Sequence, residues 1–293
     1  MIRFPHRTII GLIKLMPLPA GRFMFRVYDK ALRTIRPEYR ARTYFGARLV
    51  CNTRDLIQRT ILYFGVWEPD ISSVIESSLS PGDVFVDVGA NIGYDTLLAS
   101  RLVGGTGAVV AIEASARTFA LLTRNLALNE AGNVRAVNLA VSDRETTLDL
   151  YEVNDRNIGA ATTLASRGGT PLQSVDARPL ETILSPDELA RVRLIKMDIE
   201  GAEPPVLRRL LDTLPLYPAT MDVLVEATPT GDGVWADLFE RMARAGFCAY
   251  GIENSYELEW YLTWRKPAPL RKLDAAPAVQ QDILFTRRSI EGH

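Results

Sequence analysis

Two short stretches concentrate the residues able to do chemistry. The first is VFVDVGANIGYDT, residues 84–96, where Val84, Phe85 and Val86 lead into Asp87, then Gly89, Asn91 and Gly93, then a helix-like segment. A buried strand feeding a glycine-rich turn that opens a helix is where an open α/β sheet holds a nucleotide-like ligand, outside the carboxyl ends of its strands. The spacing chooses between ligands. A dinucleotide fingerprint is G-x-G-x-x-G, whose second Gly lets the backbone approach a pyrophosphate. Here the spacing is G-x-x-x-G, and Asn91 holds that second-Gly position. Asp87, two residues before the first Gly, would repel a pyrophosphate and would pair with a ligand ammonium. S-adenosylmethionine (SAM) has an ammonium and no phosphate, so the turn favours SAM over NAD.

The second stretch is LIKMDIEGAE, residues 194–203. If the strand continues through it, alternate residues share a face, so Lys196, Asp198 and Glu200 line one side with Met197 and Ile199 opposite. Three charges on one face of a central strand are costly to bury without partners. At a strand's carboxyl end they belong in a ligand crevice; the alternative is a structural ion-pair network around Lys196. Glu113 ends the second strand, GAVVAIE, placed to accept hydrogen bonds from a ribose diol, which NAD and SAM both carry. The third strand ends in residues 138–143, near the adenine in such a sheet, where Ala140 offers backbone contacts and Ser142 or Asp143 a polar one. The only histidines, His6 and His293, lie near the termini, which excludes a Ser/His or Cys/His triad. A general base must then be a carboxylate, Tyr or Lys, with Asp198 ranked before Glu200. Asp198, Glu200 and Glu226 could hold a hard cation such as Mg²⁺, but no spacing requires a metal and no transition-metal site is visible.

The elements that must position these residues alternate along the chain. VFVDV (84–88), GAVVAIE (107–113), VRAVNLAV (134–141), RLIKMDIEG (193–201), MDVLVEA (221–227), CAYGIE (248–253) and DILFTRR (282–288) read as seven strands. Helices are expected over 94–102, about 115–130, after Pro204-Pro205, and over 233–245. This is an α/β pattern with a mostly parallel sheet, helices on both faces and an antiparallel pair at one edge. TLDLYEV (147–153) reads as an added strand, and 154–174, rich in glycine, as a loop. Upstream, 43–52 reads as a strand or hairpin and 53–80 as helical at both ends around LYFGVWEPD. Residues 1 to about 40 read as helical, broken near Pro17 and Pro19.

The 293 residues are 47% apolar and 24% charged, ordinary for a soluble protein with a sizeable core. Cys51 and Cys248 lack zinc spacing and read as buried free thiols of a reducing cytoplasm. The first 42 residues carry ten cations against two anions, a balance of +8, so the remaining 251 carry −9. Apolar residues from Ile9 to Leu18 are interspersed among these cations. Lys14 and Pro17 keep any run short of the ~18 apolar residues of a membrane span, and no clean signal-peptidase site follows. One reading is an interfacial anchor on anionic lipid at the inner face of the membrane. The other is a helical extension that packs on the domain or forms a homo-oligomer contact. Outside this segment the acidic balance opposes nucleic-acid binding.

Together the two motifs resemble the FkbM family of SAM-dependent methyltransferases. The matching text is FVDVGANIGYDTLLAS, VVAIEASARTFALLTRNLALN, VRAVNLAVSD and LIKMDIEGAEPPVL, with FGVWEP and VLVEA also fitting, over roughly residues 45–288. The family often has Pro after the second-strand acid, where Ala114 stands here, and the basic first 40 residues match nothing in it. The resemblance implies a Rossmann-like class I methyltransferase domain over 43–293, with an antiparallel last strand, behind a helical extension over 1–42. It implies methyl transfer from SAM, usually to a hydroxyl oxygen. Carried over by position, Asp87, Gly89, Asn91, Gly93 and Glu113 would bind SAM, with Ala90 inside the same turn and Glu68 near the methionine part. Asp198, Glu200 and Glu203 would sit beside the acceptor and the cofactor's reactive end.

Loops over the strand ends select substrates, which points to 154–174 and 254–280. The second holds Tyr256, Trp260, Tyr261 and Trp264 with Arg265 and Lys266, a mixture suited to a sugar ring or glycolipid head. A saccharide or glycolipid acceptor is expected, ahead of a polyketide or other small metabolite. An NAD-dependent oxidoreductase and a non-catalytic SAM-binding protein are the readings from other classes.

Overall fold

The computed structural model describes residues 6–35, 37–152, 161–164, 170–264 and 266–290. The chain opens with α1 (His6–Lys14) and α2 (Leu18–Ile35), a hairpin of β1 (Glu38–Arg42) and β2 (Arg48–Asn52), then α3 (Leu56–Phe64) and α4 (Pro69–Ser78). Pro17 lies in the break between the first two helices, whereas Pro19 sits in the first turn of α2, where its missing N–H costs nothing. The hairpin straddles the expected 42/43 domain boundary, with Arg42 paired to Arg48.

The alternating part follows as β3 (Val84–Val88), α5 (Tyr94–Val103), β4 (Ala108–Ile112), α6 (Ala116–Leu128), β5 (Val134–Val137), β6 (Ala140–Val141), β7 (Thr146–Glu152), β8 (Ala161–Thr162) and β9 (Thr170–Arg178). Then come α7 (Leu180–Ile183), α8 (Pro186–Arg191), β10 (Val192–Met197), α9 (Glu203–Asp212), β11 (Asp222–Ala227), α10 (Val234–Arg244), β12 (Cys248–Ile252), α11 (Leu258–Thr263), β13 (Arg271–Leu273) and β14 (Gln281–Thr286).

The main sheet has the order β13-β12-β14-β11-β10-β3-β4-β5. From β5 to β11 all neighbours are parallel, while β14 runs antiparallel to both β11 and β12. The expected seven strands are therefore eight among the described residues: the short β13 adds an edge beyond β12. Its residues 271–273 carry no apolar run to announce it. Strand β3 is buried along its whole length, as a central parallel strand covered on both faces must be. Val84, Val86 and Val88 pack with Leu207 and Leu210 of α9 and Leu238 of α10. Phe85 faces the other way, onto Ile71 and Ile75 of α4 and Leu98 of α5.

Three expectations need correction. The third strand ends at Val137, and Ala140–Val141 belongs instead to a second sheet of order β6-β9-β7-β8. The segment 154–174 is not all loop: Ala161–Thr162 and the start of β9 are strand, and β7 pairs antiparallel with β9 from Thr146↔Ala177 to Glu152↔Thr170. Residues 153–160 and 165–169, with Gly159, Gly168 and Gly169, lie outside the described residues. The fourth strand ends at Met197, so Asp198 and Glu200 are turn residues rather than alternate members of a strand. The extension packs on the domain: Ile10, Ile13, Phe25 and Leu32 share one core with Leu49, Tyr63, Tyr94 and Leu122. Among the described residues no helix is long and apolar enough to cross a membrane.

Candidate active site

The turn after β3 is built from left-handed residues: Gly89 at φ +84°, Asn91 at +49° and Gly93 at +90°. Only glycine adopts such a conformation at little cost. The first of these is also a close approach, because a Cβ on Gly89 would lie 1.9 Å from the Asp198 carbonyl oxygen. The turn is fixed from below, where Gly89 N and Ala90 N both donate to the Ile112 carbonyl at 2.9 and 3.0 Å. Asn91 N donates to Glu113 Oε2 and Ser115 N to Glu113 Oε1, each at 2.9 Å. Burial nevertheless pushes the Glu113 carboxyl up to about 7, those two N–H groups offsetting part of the effect.

The turn after β10 mirrors it. Asp198 N donates to the Val88 carbonyl at 3.0 Å, and Glu200 takes a left-handed φ of +57°. Glu203, fully buried, accepts from Ile199 N at 2.8 Å and Gly201 N at 3.2 Å. It thus organises the turn that carries Asp198 and Glu200. Burial pushes its carboxyl up to about 7.

Under both turns lies one buried amine. Lys196 Nζ is 3.3 Å from Asp95 Oδ2 and 3.5 Å from Asp198 Oδ2. Burial opposes its charge, but Asp198, Asp95, Asp87 and Glu68 hold its pKa well above the usual lysine value. The acids outnumber it. Asp87 accepts from Thr96 Oγ1 at 2.5 Å, its other oxygen has no partner, and burial pushes it up to about 6 against the pull of Lys196. Asn254 Nδ2 bridges Glu68 Oε1 at 3.1 Å and Asp282 Oδ2 at 3.0 Å. Burial raises Glu68, and it pushes Asp282 up to about 6. Glu226, held by Gln280 Nε2 at 2.5 Å and Tyr256 Oη at 3.3 Å, is pushed up to about 8 by burial and by Asp198 and Asp282. No group of three or more His, Cys, Asp or Glu among the described residues is arranged to hold a metal ion.

Three cavities run together over these residues. The first is lined by Gly89, Asn91, Glu113, Ala140, Asp198 and Glu200 among others. The second shares Asp198 and Glu200 with the first and adds Trp67, Glu68, Glu226, Tyr256 and Gln280. The third shares Glu226, Tyr256 and Gln280 with the second and reaches Asn254 and Asp282. The ring of Trp67 stacks on Tyr256 at 5.4 Å and 10°.

Seven of the twelve expected site residues therefore line this channel: Glu68, Gly89, Asn91, Glu113, Ala140, Asp198 and Glu200. Five do not. Asp87 is buried, lines none of the three cavities and accepts from Thr96. Ala90 packs into the core under the N-terminal helices. Gly93 makes room for Leu122, whose Cδ1 would stand 2.7 Å from an added Cβ. Ser142 is drawn into the second sheet, where its N–H donates to Arg178 O and its hydroxyl to Arg144 O. Glu203 faces its own turn. Arg265 lies outside the described residues, and Trp264 is turned onto α4, where its Nε1 donates to Asp70 at 3.0 Å. Tyr261 stacks on Phe64 at 5.2 Å.

The sequence reading missed Ile57 and Asp282 on the walls, and it covered Leu139, Asn254 and Gln280 only within the broader stretches 138–143 and 254–280. For Asp282 a signal exists. Because β14 is antiparallel, its first residues lie at the carboxyl ends of its neighbours, and Asp282 pairs with Glu226.

The order of the main sheet, with one reversed strand between its fifth and sixth parallel members, and a cleft over the first and fourth, defines a Rossmann-like fold of the class I methyltransferase type. The chain belongs to the FkbM methyltransferase family: the Methyltransferase FkbM domain matches residues 87–248, just over half of its length. It is similar to methyltransferase sdnD of Sordaria araneosa, 30% identical over 161 residues, covering 45% of this chain and 62% of that protein. It is also similar to Methyltransferase 1 of Beauveria bassiana (strain ARSEF 2860), 30% identical over 154 residues and covering 45% and 60%. The match spans about three fifths of the length of these curated relatives. Among solved structures, a SAM-dependent O-methyltransferase from Thermotoga maritima superposes with TM-score 0.43 at 18% identity, covering 87% of this chain and 80% of that one.

Proposed function

We propose that this protein transfers a methyl group from SAM to a hydroxyl oxygen of a saccharide or glycolipid. The observation that carries the reading is the charge of the channel. Glu68, Asp87, Asp95 and Asp198 act on one amine, Lys196, and Glu113, Glu226 and Asp282 belong to the same acidic cluster. Burial is the first cause of the raised pKa values of six of these seven acids, and repulsion from neighbouring carboxylates of the cluster adds to it. A ligand with a sulfonium and an ammonium complements that field, and a pyrophosphate would be repelled by it. The residues present fit SAM: Glu113 stands on the wall of the first cavity for a ribose diol, Leu139 and Ala140 beside it for the adenine, and Glu68 in the next cavity for the amino acid part.

SAM supplies an electrophilic methyl group when bound. The chain must hold an acceptor oxygen in line with it and exclude water, positioning worth about 7–11 kcal/mol. Asp198 and Glu200 line both the first and second cavities, where donor and acceptor meet. We assign Asp198 as the base that takes the hydroxyl proton, with Glu200 beside it. A second reading is favoured by one observation: Glu226, pushed up to about 8, is matched to a base working near neutral pH. The stacked Trp67–Tyr256 pair suits the apolar face of a sugar ring, and Asn254, Gln280 and Glu226 suit its hydroxyls. A polyketide or other small metabolite is the alternative acceptor. The free thiols Cys51 and Cys248 suit a reducing cytoplasm.

The test is incubation with deuteromethyl-SAM and a host extract split into lipid, saccharide and small-metabolite fractions, read by mass spectrometry. A CD₃ label in the saccharide or lipid fraction is expected. Asp198→Asn should bind SAM and lose transfer by 10²-fold or more. Intact transfer in that variant, with loss in Glu226→Gln, would move the base to Glu226. Label confined to the small-metabolite fraction would refute the saccharide reading.

A further inference from the structure

Helix α2 is apolar on two sides. Its inward stripe, Gly21, Phe25 and Leu32, is buried against the domain. A second stripe, Ala20, Phe23, Met24, Val27, Ala31 and Ile35, is exposed along the whole helix. At 3.6 residues per turn it covers about 120° of arc on the solvent side. Phe23 is 66% exposed and Val27 49%. The elbow between α1 and α2 adds Leu12, Leu15, Met16 and Leu18, with Leu15 at 83%. One flank of the outward stripe is a row of cations, Arg22, Arg26, Lys30 and Arg33; the other is the protein itself. A soluble surface helix needs one apolar stripe, for its core. A second, exposed and bordered by cations, marks a contact surface.

We propose that this outward face of α2, with the elbow, docks on an anionic lipid bilayer. The charge pattern selects the occupant. A helix lying in the interface buries its apolar face among acyl chains while lysines and arginines meet lipid phosphates. A second copy would bring like against like, since an isologous contact opposes the same cation-rich patch on both subunits. The face also stands beside the acceptor end of the channel. Arg22 Nε lies 2.8 Å from Glu259 Oε1 of α11, and Tyr261 of α11 stacks on Trp67, which lines the second cavity. If the methyl-transfer reading holds, docking would present that cavity to a hydroxyl carried by a lipid.

The test needs no methylation. The full-length protein is sedimented with phosphatidylcholine vesicles with and without phosphatidylglycerol. Binding to the anionic vesicles, weakened by salt, is expected. Phe23→Asp with Val27→Asp should abolish it without changing the thermal melt, since both side chains are exposed. Arg26→Ala with Lys30→Ala should weaken it about thirtyfold, from about 1 kcal/mol per cation near an anionic surface. Absence of binding by the unaltered protein, or unchanged binding by the Phe23/Val27 variant, overturns the proposal. A dimer in solution that becomes monomeric in that variant also overturns it and gives the face to a second copy.

Discussion

Gly89→Ala separates what the two turns contribute to each other. A left-handed alanine costs about 1–2 kcal/mol through its own backbone. Gly233 measures that term alone: its φ is +77° and an added Cβ there meets nothing within 4 Å. Gly89, at φ +84°, bears the same backbone cost and a collision in addition, its Cβ arriving 1.9 Å from the Asp198 carbonyl oxygen. To reach ordinary contact, that carbonyl must retreat by about 1.5 Å, and Asp198 and Glu200 ride on the same turn. Misplacing a reacting group by ~1 Å can cost about 10²-fold in rate. At about 2–4 °C per kcal/mol for a chain of this size, Gly233→Ala should lower the melting temperature by roughly 2–8 °C. Gly89→Ala should lower it further and weaken SAM binding in calorimetry, which Gly233→Ala leaves untouched. Equal melting points for the two variants, with SAM affinity retained in both, would refute the packing of one turn against the other as the basis of the site.

Two further predictions concern the buried charges. In the free protein Glu226, at about 8, and in part Glu113, at about 7, hold protons at neutral pH, and Asp87 and Asp282, at about 6, take them up as the pH falls to 6. A cationic ligand favours their ionised forms, so SAM affinity should rise from pH 6 to pH 8 with release of protons. S-adenosylhomocysteine, lacking the sulfonium charge, should show a smaller rise; calorimetry in buffers of different protonation enthalpy reads both, and equal pH slopes for the two ligands would count against the charge argument. Lys196→Met leaves Asp87, Asp95 and Asp198 without their shared cation and should cost about 3–5 kcal/mol in denaturant unfolding. The loss should shrink as pH falls from 8 to 5, because protonated acids no longer need the amine; a loss independent of pH would make the role of Lys196 one of packing.

What could be read from the sequence follows how local each signal is. The glycine turn was legible because left-handed backbone at Gly89 and Gly93 must be written in the sequence at those positions. That β3, β4, β5, β10 and β11 belong to a mostly parallel sheet was legible because apolar strand segments alternate with helical ones along the chain. Side-chain direction was not. Asp87 reads as a ligand contact; in the structure it is buried on β3, which is covered on both faces, and its carboxyl meets Thr96. Lys196, Asp198 and Glu200 share a face only in a strand that continues, and this one stops at Met197. The walls around Glu226 were least legible. Glu68 meets Asn254 across 186 positions of sequence, a contact between the start of α4 and the turn after β12 that has no local signature.

The reversal of β14 explains why the acids accumulate around Glu226. In a wholly parallel sheet each strand brings its carboxyl-end residue to the cleft, and its amino-end residues lie far below. Because β14 runs the other way, Asp282 at its start stands directly beside Glu226 near the end of β11. Asp282 raises Glu226, and Asp198 raises both, so carboxyls meet where ordinary burial would tolerate one. Asn254 donates to Asp282, and Gln280 and Tyr256 donate to Glu226, yet none of these donors brings a positive charge. Lys196 stands nearest Asp95 and Asp198, at 3.3 and 3.5 Å. The Glu226 side therefore keeps a hydrogen-bonded pair of acids whose charge Lys196 offsets only in part, at Asp282. On the methyl-transfer reading proposed above, such a pair suits polyhydroxyl recognition and proton acceptance, and it disfavours an acceptor that carries its own negative charge next to the reacting oxygen.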